Sequence, residues 1–376
     1  MICDKIICVD RVPQEEEKLF FGDSGHVTRS DKISHQFFQK IYEKGFADFW
    51  TWKVVDFSHD AVGWESIEEK GQRIFLLNNA YQTLMDSGVY NEYFYILKFV
   101  SNSELATLYS TIGFQEVIHA NSYSYGLAQM FGAKADEKFN LLYEDEVIKS
   151  RLKYEVKFSS DLAEAEKTND EEQIKLPLAK TIVATLFLEK VKFPNSFFTT
   201  WAINDYFDGA IQGFSQILKL IAYDELTTHV PTNIQVLKTL LYEKNQGFAK
   251  YKDEIISFIY DYIKTGIIEE DRWIDYLLKD GEFGLLTKET MKRFIRYQAN
   301  DMLRLLKLKP IYSKEESDIG EVSMWFKGYY DINSQNNANQ ELSNISYKKG
   351  VVKNDINKKL KNIKGFLWET KKLIGV

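Results

Sequence analysis

Residues 101–131 read SNSELATLYSTIGFQEVIHANSYSYGLAQMF, and this stretch predicts the architecture of the protein. Apolar residues recur along it at three- and four-residue spacings, which is typical of a long amphipathic helix that starts at the capping-box pattern Ser101-x-x-Glu104. Glu116 and His119 stand one turn apart and project to one face, as ligands of paired metal ions do in helix bundles. Alone the pair is a weak signal, because Glu-x-x-His also arises by chance and His119 could be an ordinary core histidine.

The rest of the chain has the same helical character. Only 5 Pro and 20 Gly interrupt 376 residues, so the turns that sandwiches and barrels require are scarce. An acidic stretch at 134–171 is predicted to contain further helix but to be mostly solvated. Helical periodicity is clearest at 30–52, 66–86, 101–131, 180–204, 211–244, 254–278 and 287–308. We therefore predict an all-α protein.

Composition divides the chain into three parts. Residues 1–28 are polar and irregular and are predicted to form an arm on the body, whereas residues 29–330 form the helical domain. Residues 331–346 are rich in Asn, Gln and Ser, which favours a flexible linker. Residues 348–376 hold nine lysines and two acidic residues, a net charge of +7 that leaves −14 on the rest. This tail is either a disordered solubilising end or a peptide that orders on a partner.

Several function classes are unlikely on composition. The net charge of −7 argues against a general nucleic-acid binder. The longest apolar runs, such as 181–188, fall short of the ~20 residues that span a bilayer, so no membrane association is expected. The N-terminus lacks a signal-peptide pattern, and Cys3 and Cys8 lie too close together to staple a fold. These features predict a cytoplasmic protein.

A second set of ligand-type residues strengthens the metal-site hypothesis. Glu225 and His229 lie about 40° apart around an ideal helix, so both can serve one site. Asp86 and Glu189 end strongly apolar helical stretches, where a buried carboxylate is costly unless it is paired or metal-bound. Each acid taken singly could be a helix-end residue facing water. Together, four carboxylates and two imidazoles from four helices supply the ligands of a dinuclear site for hard cations.

These and other motifs resemble the small, radical-generating subunit of class I ribonucleotide reductase. The resemblance runs in order and in approximate spacing from about residue 18 to about residue 350. It is most specific at 81–87 and 115–123, and is supported at 20–22, 49–60, 220–225 and 271–281. It implies a ferritin-like helical bundle with a dinuclear metal site in its core, extra helices and a flexible C-terminal tail.

The resemblance also implies roles for individual residues. One metal ion would be bound by Asp86, Glu116 and His119, the other by Glu189, Glu225 and His229, with Glu116 bridging. Tyr123, one turn beyond His119, would carry a stable radical, shielded by Phe193, Phe197 and Ile221. Trp50, Asp224 and Tyr347 would transfer the radical. Asp224 would accept the distal N–H of His119 and connect it to Trp50.

The activity implied is that of the beta subunit of ribonucleoside-diphosphate reductase. Two iron ions per chain, or two manganese ions, would activate O2 and oxidise Tyr123. The radical would pass to a large catalytic subunit, which binds the C-terminal tail and reduces ribonucleotides with thioredoxin or glutaredoxin. A homodimer is implied as well. The sequence does not distinguish iron from manganese or show whether a flavoprotein activates the site.

The chain departs from the family pattern at the second histidine. The usual spacing is Glu-x-x-His, but here one more residue separates Glu225 from His229. Either a helical bulge restores the geometry, or Thr228 occupies the ligand position and His229 is displaced. Pro231 would disturb the same helix, and Pro194 is expected to unwind the helix after Glu189.

Other departures concern the radical path and the tail. Tyr223 stands where an arginine is common before the Asp-Glu pair, and Thr51-Trp52 replaces the usual Arg-Pro after Trp50. The tail beyond Tyr347 is basic, whereas family tails are usually acidic, so docking to a partner is expected to differ.

Two other functions remain open from the sequence. A ferritin-like dimetal oxidase acting on a small or lipid substrate would use the same ligands but would not need Tyr347 or the Trp50–Asp224 pair. A helical scaffold or metal-storage protein without activity would be consistent with the altered Glu225–His229 spacing.

Overall fold

Helices make up most of residues 18–23 and 27–330, which are the residues that the computed structural model describes. Within these ranges only isolated β-bridges occur, so the all-α prediction is confirmed. The helices are α1 (Gln36–Ala47), α2 (Ser58–Gly63), α3 (Glu69–Ile96), α4 (Ser103–Phe131), α5 (Ala135–Phe139), α6 (Leu141–Glu144), α7 (Glu146–Glu155), α8 (Lys157–Glu166), α9 (Glu171–Phe187), α10 (Phe193–Tyr206), α11 (Gln212–Asp224), α12 (Val230–Tyr242), α13 (Lys252–Leu277), α14 (Lys288–Leu305), α15 (Lys314–Ser317) and α16 (Val322–Tyr330).

The bundle core is formed by α3 and α4, which pack along each other, together with the α9–α10 and α11–α12 segments. In both segments the two helices are joined by a single π-helical turn, at Leu188–Lys192 and at Glu225–His229. The helices predicted to be continuous at 180–204 and 211–244 are therefore each interrupted by one π turn. Large buried side chains such as Trp201 and Phe187 fill the interior. Each contributes about 1.5–3 kcal/mol by leaving water.

The start of α4 differs from the prediction. Asn102, not Ser101, caps the helix, because its side-chain oxygen accepts a hydrogen bond from Leu105 N–H at 2.8 Å. The Ser101 hydroxyl instead donates to the Lys18 carbonyl at 2.7 Å and accepts from Gly22 N–H at 2.9 Å. Ser101 thus holds residues 18–22 against the body, and the predicted capping box is wrong.

The acidic stretch is mostly solvated, as predicted, but it also contributes buried side chains. It folds into the short helices α5 to α8, and α8 packs against α9. Ile148 and Leu162 are fully buried and Arg151 is 4% exposed. Helical periodicity in this stretch is masked by its many charges, which is why the buried face was not apparent.

Other expectations have different outcomes. Leu19 and Phe20 are buried against the body, in line with an N-terminal arm, but the residues before 18 lie outside the described part. The predicted linker and tail at 331–376 lie outside it too, so the proposed domain boundaries remain predictions. Among the described residues, no helix combines the length and hydropathy that a membrane span requires.

Candidate metal centre

All six predicted ligands are fully buried in the core of the bundle. They come from four segments that pack around one another. Asp86 lies on α3, Glu116 and His119 lie on α4, Glu189 lies in the first π turn, and Glu225 and His229 begin and end the second.

The second π turn explains the unusual spacing of Glu225 and His229. The Val230 N–H bonds to the Glu225 carbonyl five residues back, so one extra residue fits into the turn. Pro231 follows at the start of α12 and has no N–H to donate, which leaves the carbonyl four residues earlier free of the usual helical bond. The first π turn has the same arrangement, with Phe193 N–H bonded to the Leu188 carbonyl and Pro194 next.

Four of the predicted ligands converge on one point. Glu116, His119, Glu225 and His229 each offer an atom within 4.8 Å of the others. His229 Nδ1 lies 2.8 Å from Glu225 Oε2 and 3.0 Å from Glu116 Oε1. His119 Nδ1 lies 3.4 Å from the other oxygen of each carboxylate. Glu116 and Glu225 therefore both extend between the two imidazoles, although a bridging position was expected only for Glu116.

Asp86 and Glu189 flank this group. Burial raises the pKa of Asp86 well above its usual value, and the Glu116 carboxylate raises it further. Burial and the Glu225 carboxylate likewise raise the pKa of Glu189 well above its usual value. Burial alone would raise the pKa of Glu225 too, but the neighbouring imidazoles lower it below its usual value. The ionised forms of Asp86 and Glu189 are therefore disfavoured in the absence of cations, as expected where several carboxyl groups share a buried site.

The donor atoms of the site fit a pair of hard cations. Within the described part of the chain, no well-oriented hydrogen bond is made by the carboxylate oxygens of Asp86, Glu116, Glu189 and Glu225 or by Nδ1 of either histidine, although Nδ1 of His229 lies close to two of these oxygens. Buried polar atoms are normally satisfied, and such a concentration of unpaired oxygens with two imidazoles matches the ligand preference of iron or manganese.

The outer nitrogen of His119 enters a hydrogen-bonded chain. His119 Nε2 lies 3.2 Å from Asp224 Oδ2, and Trp50 Nε1 donates to the same oxygen at 2.8 Å. The Trp50 and His119 rings are stacked with centroids 5.8 Å apart. A carboxylate on the outer nitrogen fixes the tautomer, so that Nδ1 carries the lone pair that faces the site.

The outer nitrogen of His229 has a different partner, for which sequence analysis indicated no role. His229 Nε2 lies 3.2 Å from Gln115 Oε1. Thr228 donates its hydroxyl proton to the Asp224 carbonyl at 2.5 Å and lies 3.3 Å from Gln115 Oε1. The structure thus brings His229, not Thr228, to the carboxylates. The sequence feature that could have indicated this contact is the position of Gln115 directly before Glu116, a proposed ligand.

Tyr123 is fully buried on α4, one turn beyond His119. Burial raises the pKa of its phenol well above the usual value, and the carboxylates of Asp86 and Glu225 act in the same direction. Phe193, Phe197 and Ile221 are likewise fully buried. The phenol is therefore neutral and shielded from water.

Two predicted features lie further from the ligands. Tyr223 donates its hydroxyl proton to Asp48 Oδ2 at 2.6 Å, and Lys44 contacts both side chains. A cation from α1 is therefore present beside this position, where the family commonly has an arginine. Tyr347 lies outside the described residues.

Comparison with known proteins identifies the family. The sequence model described as "Ribonucleotide reductase, small chain" matches residues 29–318. The chain belongs to this family. The reductase small chain is 26% identical to the ribonucleoside-diphosphate reductase subunit beta of Buchnera aphidicola subsp. Baizongia pistaciae, over 91% of this chain and 94% of that protein.

Solved structures agree on the fold of this reductase small chain. The ribonucleotide reductase R2 subunit from Clostridium botulinum superposes with a TM-score of 0.77 at 22% identity, covering 88% of this chain and 99% of that one. Dimanganese(II)-NrdF from Streptococcus sanguinis gives a TM-score of 0.63 at 21% identity, covering 80% and 98%. The predicted resemblance is confirmed, and the small chain contains a candidate site for two metal ions.

Proposed function

We propose that this small subunit of ribonucleoside-diphosphate reductase generates and stores a radical on Tyr123 and passes it to a large catalytic subunit. The observation that carries the proposal is a buried phenol beside four carboxylates and two imidazoles whose inward atoms make no well-oriented hydrogen bond to the described part of the protein. The large subunit would use the radical to reduce ribonucleotides to deoxyribonucleotides, with thioredoxin or glutaredoxin as reductant.

The metal ligands in this proposal are the six buried side chains. Asp86, Glu116 and His119 would hold one ion and Glu189, Glu225 and His229 the other. A bound pair of iron or manganese ions would supply the activation of O2 and the one-electron oxidation of a nearby phenol. Iron is our first expectation, and the similarity in fold to dimanganese(II)-NrdF supports manganese as the alternative.

The polypeptide itself would contribute by keeping a radical on Tyr123 stable. Its complete burial excludes water and small reductants, which would otherwise quench a phenoxyl radical. Oxidation removes one electron and one proton from the phenol. Asp86 is the strongest charged influence on that hydroxyl, so its carboxylate, once ionised by a bound metal ion, would accept the proton.

Hydrogen bonds lead from the site to Trp50, a largely buried tryptophan. Trp50 is 5% exposed and is linked through Asp224 to His119. We propose that this chain of side chains carries the radical out of the core. Tyr347, in the tail that would dock on the large subunit, is proposed as the next step.

An exposed aromatic patch supports a homodimer. Phe46, Phe49 and Phe114 are 68%, 44% and 50% exposed, and the Phe49 and Phe114 rings stack at 5.9 Å. Phe94, 45% exposed, lies beside Gly113 at the same end of α4. Apolar clusters of this kind on a surface mark association sites. We propose that two copies of the chain bury this patch against each other.

The test of the radical function is spectroscopic. Purified protein is loaded with iron(II), or with manganese(II), and exposed to O2. An electron paramagnetic resonance signal of a tyrosyl radical is expected in the wild type and not in Tyr123→Phe. A protein that binds two metal ions per chain and gives no radical with either metal would overturn the proposal.

The dimetal-oxidase alternative is less well supported. The family match and the relatives named above are reductase subunits, and the Trp50–Asp224 hydrogen bond has no use in an oxidase. The metal-storage alternative is weakened in the same way, because the altered spacing still brings His229 to the cluster. A cytoplasmic location remains a prediction from the sequence.

A further inference from the structure

A second fully buried tyrosine lies near the metal centre. Tyr81 is on α3, five residues before Asp86, and is completely buried. Its hydroxyl has no hydrogen-bond partner among the described residues. The Asp86 and Glu189 carboxylates both act on it electrostatically. An oxidant formed among these ligands therefore has two buried phenols in its field, Tyr81 and Tyr123.

The two rings differ in their charged neighbours. The Arg151 guanidinium lies over the Tyr81 ring, 3.7 Å from its centroid, and 4.6 Å from the centroid of the Trp273 ring. In the described chain no lysine or arginine lies over the Tyr123 ring. The ring of Tyr81 is thus held against a positive charge, whereas that of Tyr123 is not.

Arg151 is fixed in this position by burial and by an ion pair. Its side chain is 3% exposed and contacts the carboxylate of Glu270, which is fully buried on α13. Glu270 also lies 3.9 Å from Lys192, the last residue of the first π turn, and Lys192 pairs with Glu155. Placing so many charges in a core is costly, and packing alone would be served equally well by apolar side chains.

We propose that Arg151 is a positioning residue that directs oxidation to Tyr123 by making Tyr81 difficult to oxidise. A cation over an aromatic face is attracted to its π electrons, and removing an electron from the ring loses that attraction. Oxidation of Tyr123 would give one electron to a bound, oxidised metal pair and one proton towards Asp86. In the part of the chain that the structure describes, Tyr81 has no acceptor at its hydroxyl, so it would give up the electron first and keep its proton, which leaves a radical cation that the guanidinium repels. The guanidinium raises the free energy of this step at Tyr81 only.

The expected size of the effect is enough to determine selectivity. A desolvated cation–π contact of ~2 kcal/mol corresponds to a factor of about 30 in the equilibrium between the reduced and oxidised ring. The inference rests on the proposed function, because it presupposes an oxidant that produces a tyrosyl radical.

The experiment uses the full chain with Tyr123→Phe as background, so that any tyrosyl radical must lie elsewhere. The variants are Tyr123→Phe alone and its combinations with Arg151→Met, Arg151→Lys, and Arg151→Met plus Tyr81→Phe. Each is loaded with iron(II) and O2, and radical yield and hyperfine pattern are measured by electron paramagnetic resonance with ring-deuterated tyrosine. Metal content and circular dichroism are recorded for each variant.

We expect Arg151→Met to raise the radical yield of the Tyr123→Phe protein at least about tenfold. The added Tyr81→Phe should remove that signal, and Arg151→Lys, which keeps the charge, should not produce it. Arg73→Met is the matched control, because Arg73 lies 4.9 Å over the ring of Tyr276, whose pKa is not affected by any proposed ligand. It should leave the yield unchanged.

Loss of Arg151 leaves the buried Glu270 with only the more distant Lys192, at 3.9 Å, as a cationic neighbour among the described residues, so that variant is expected to be less stable. Arg151→Met combined with Glu270→Gln removes both charges and is expected to give the same radical. The inference would be overturned if this variant folded and bound metal but formed no radical on Tyr81. If the wild type still formed the Tyr123 radical, the proposed function would be unaffected by that result. A wild type without a radical would overturn both.

Discussion

Gln115 Oε1 lies 3.2 Å from Nε2 of His229, on the side of the imidazole that faces away from the carboxylates. His119 has Asp224 in the corresponding position, so the two imidazoles are oriented by different chemical groups. An amide oxygen accepts the N–H without adding charge, whereas a carboxylate also makes the imidazole more basic. The two proposed metal positions would therefore not be equivalent.

Substitution of Gln115 should weaken one metal position selectively. Gln115→Leu removes the acceptor and is expected to lower affinity for one of two metal ions by about 10- to 100-fold. Competition titration with a chelator measures both affinities. Gln115→Glu, which restores an acceptor, should recover most of the loss. Equal weakening of both positions would contradict the assignment.

Trp50→Phe should separate radical storage from radical use. The substitution removes the hydrogen bond to Asp224 but leaves all six proposed ligands in place. Formation of the Tyr123 radical should be unchanged, whereas ribonucleotide reduction in the presence of the large subunit should fall to background. Full activity of the variant would exclude Trp50 from the path.

Metal binding should release protons, and the apparent affinity for metal should rise with pH. In the metal-free protein burial lowers the pKa of His229, but the carboxylates of Glu225 and Glu116 outweigh it and raise the pKa to about 10. The folded protein therefore holds this proton more tightly than the unfolded chain. The resulting stabilisation is complete below about pH 6.5, the ordinary pKa of histidine, and is lost as pH rises through 10.

A metal ion must displace the His229 proton, so apparent affinity should rise across the same pH window. Calorimetry at pH 8 in buffers of different ionisation enthalpy counts the protons released. His229→Gln should release about one proton fewer for the pair of ions. Equal release by the two proteins would show that His229 is neutral in the metal-free state.

The aromatic patch should control the association of the small chain. Phe46→Glu combined with Phe114→Asp places charges at exposed positions and should convert a dimer to a monomer in sedimentation velocity experiments. Met324→Glu, on α16, is the matched control because Met324 is 81% exposed and lies outside the patch. A dimer that persists in the double variant would locate the interface elsewhere.

Deletion of one residue from the second π turn should be tolerated. Leu226 is 36% exposed, and removing it gives the Glu-x-x-His spacing of an ordinary α-helix while keeping the phase of α12. The deletion should leave metal stoichiometry unchanged. Deletion of Val236, which is fully buried within α12, rotates the residues that follow and should prevent folding. Loss of one metal ion on deleting Leu226 would show that the π turn is required.

The sequence predicted the helical class because helices depend on local spacing. The proposed ligands came from spacing together with the family resemblance, and their role stays a prediction. Periodicity located α4 and α13 to within a few residues, and Glu-x-x-His placed two ligands on one face. Resemblance to the family supplied the roles of Tyr123 and Trp50, which spacing alone does not reveal. The residues that pack against the ligands were harder to find, because contacts between distant segments leave no local pattern.

Gln115 and Arg151 illustrate this limit. Gln115 is an ordinary polar residue of an amphipathic helix until its distance from His229 is known. Arg151 lies in a highly charged stretch that was expected to face water, but it is buried where α7 packs against α3 and where it pairs with Glu270 of α13. The position of His229 also remained undecided, since an extra residue can be absorbed by a π turn or can displace the side chain.

The π turn at Glu225–His229 has a consequence for the recognition of related proteins. A pattern that demands two residues between glutamate and histidine rejects this chain at its second metal position, although the buried cluster is complete. A search that allows three intervening residues when a proline follows the histidine by two would retain such sequences. Divergent dimetal helix bundles overlooked on motif grounds alone could be recovered by this relaxed pattern.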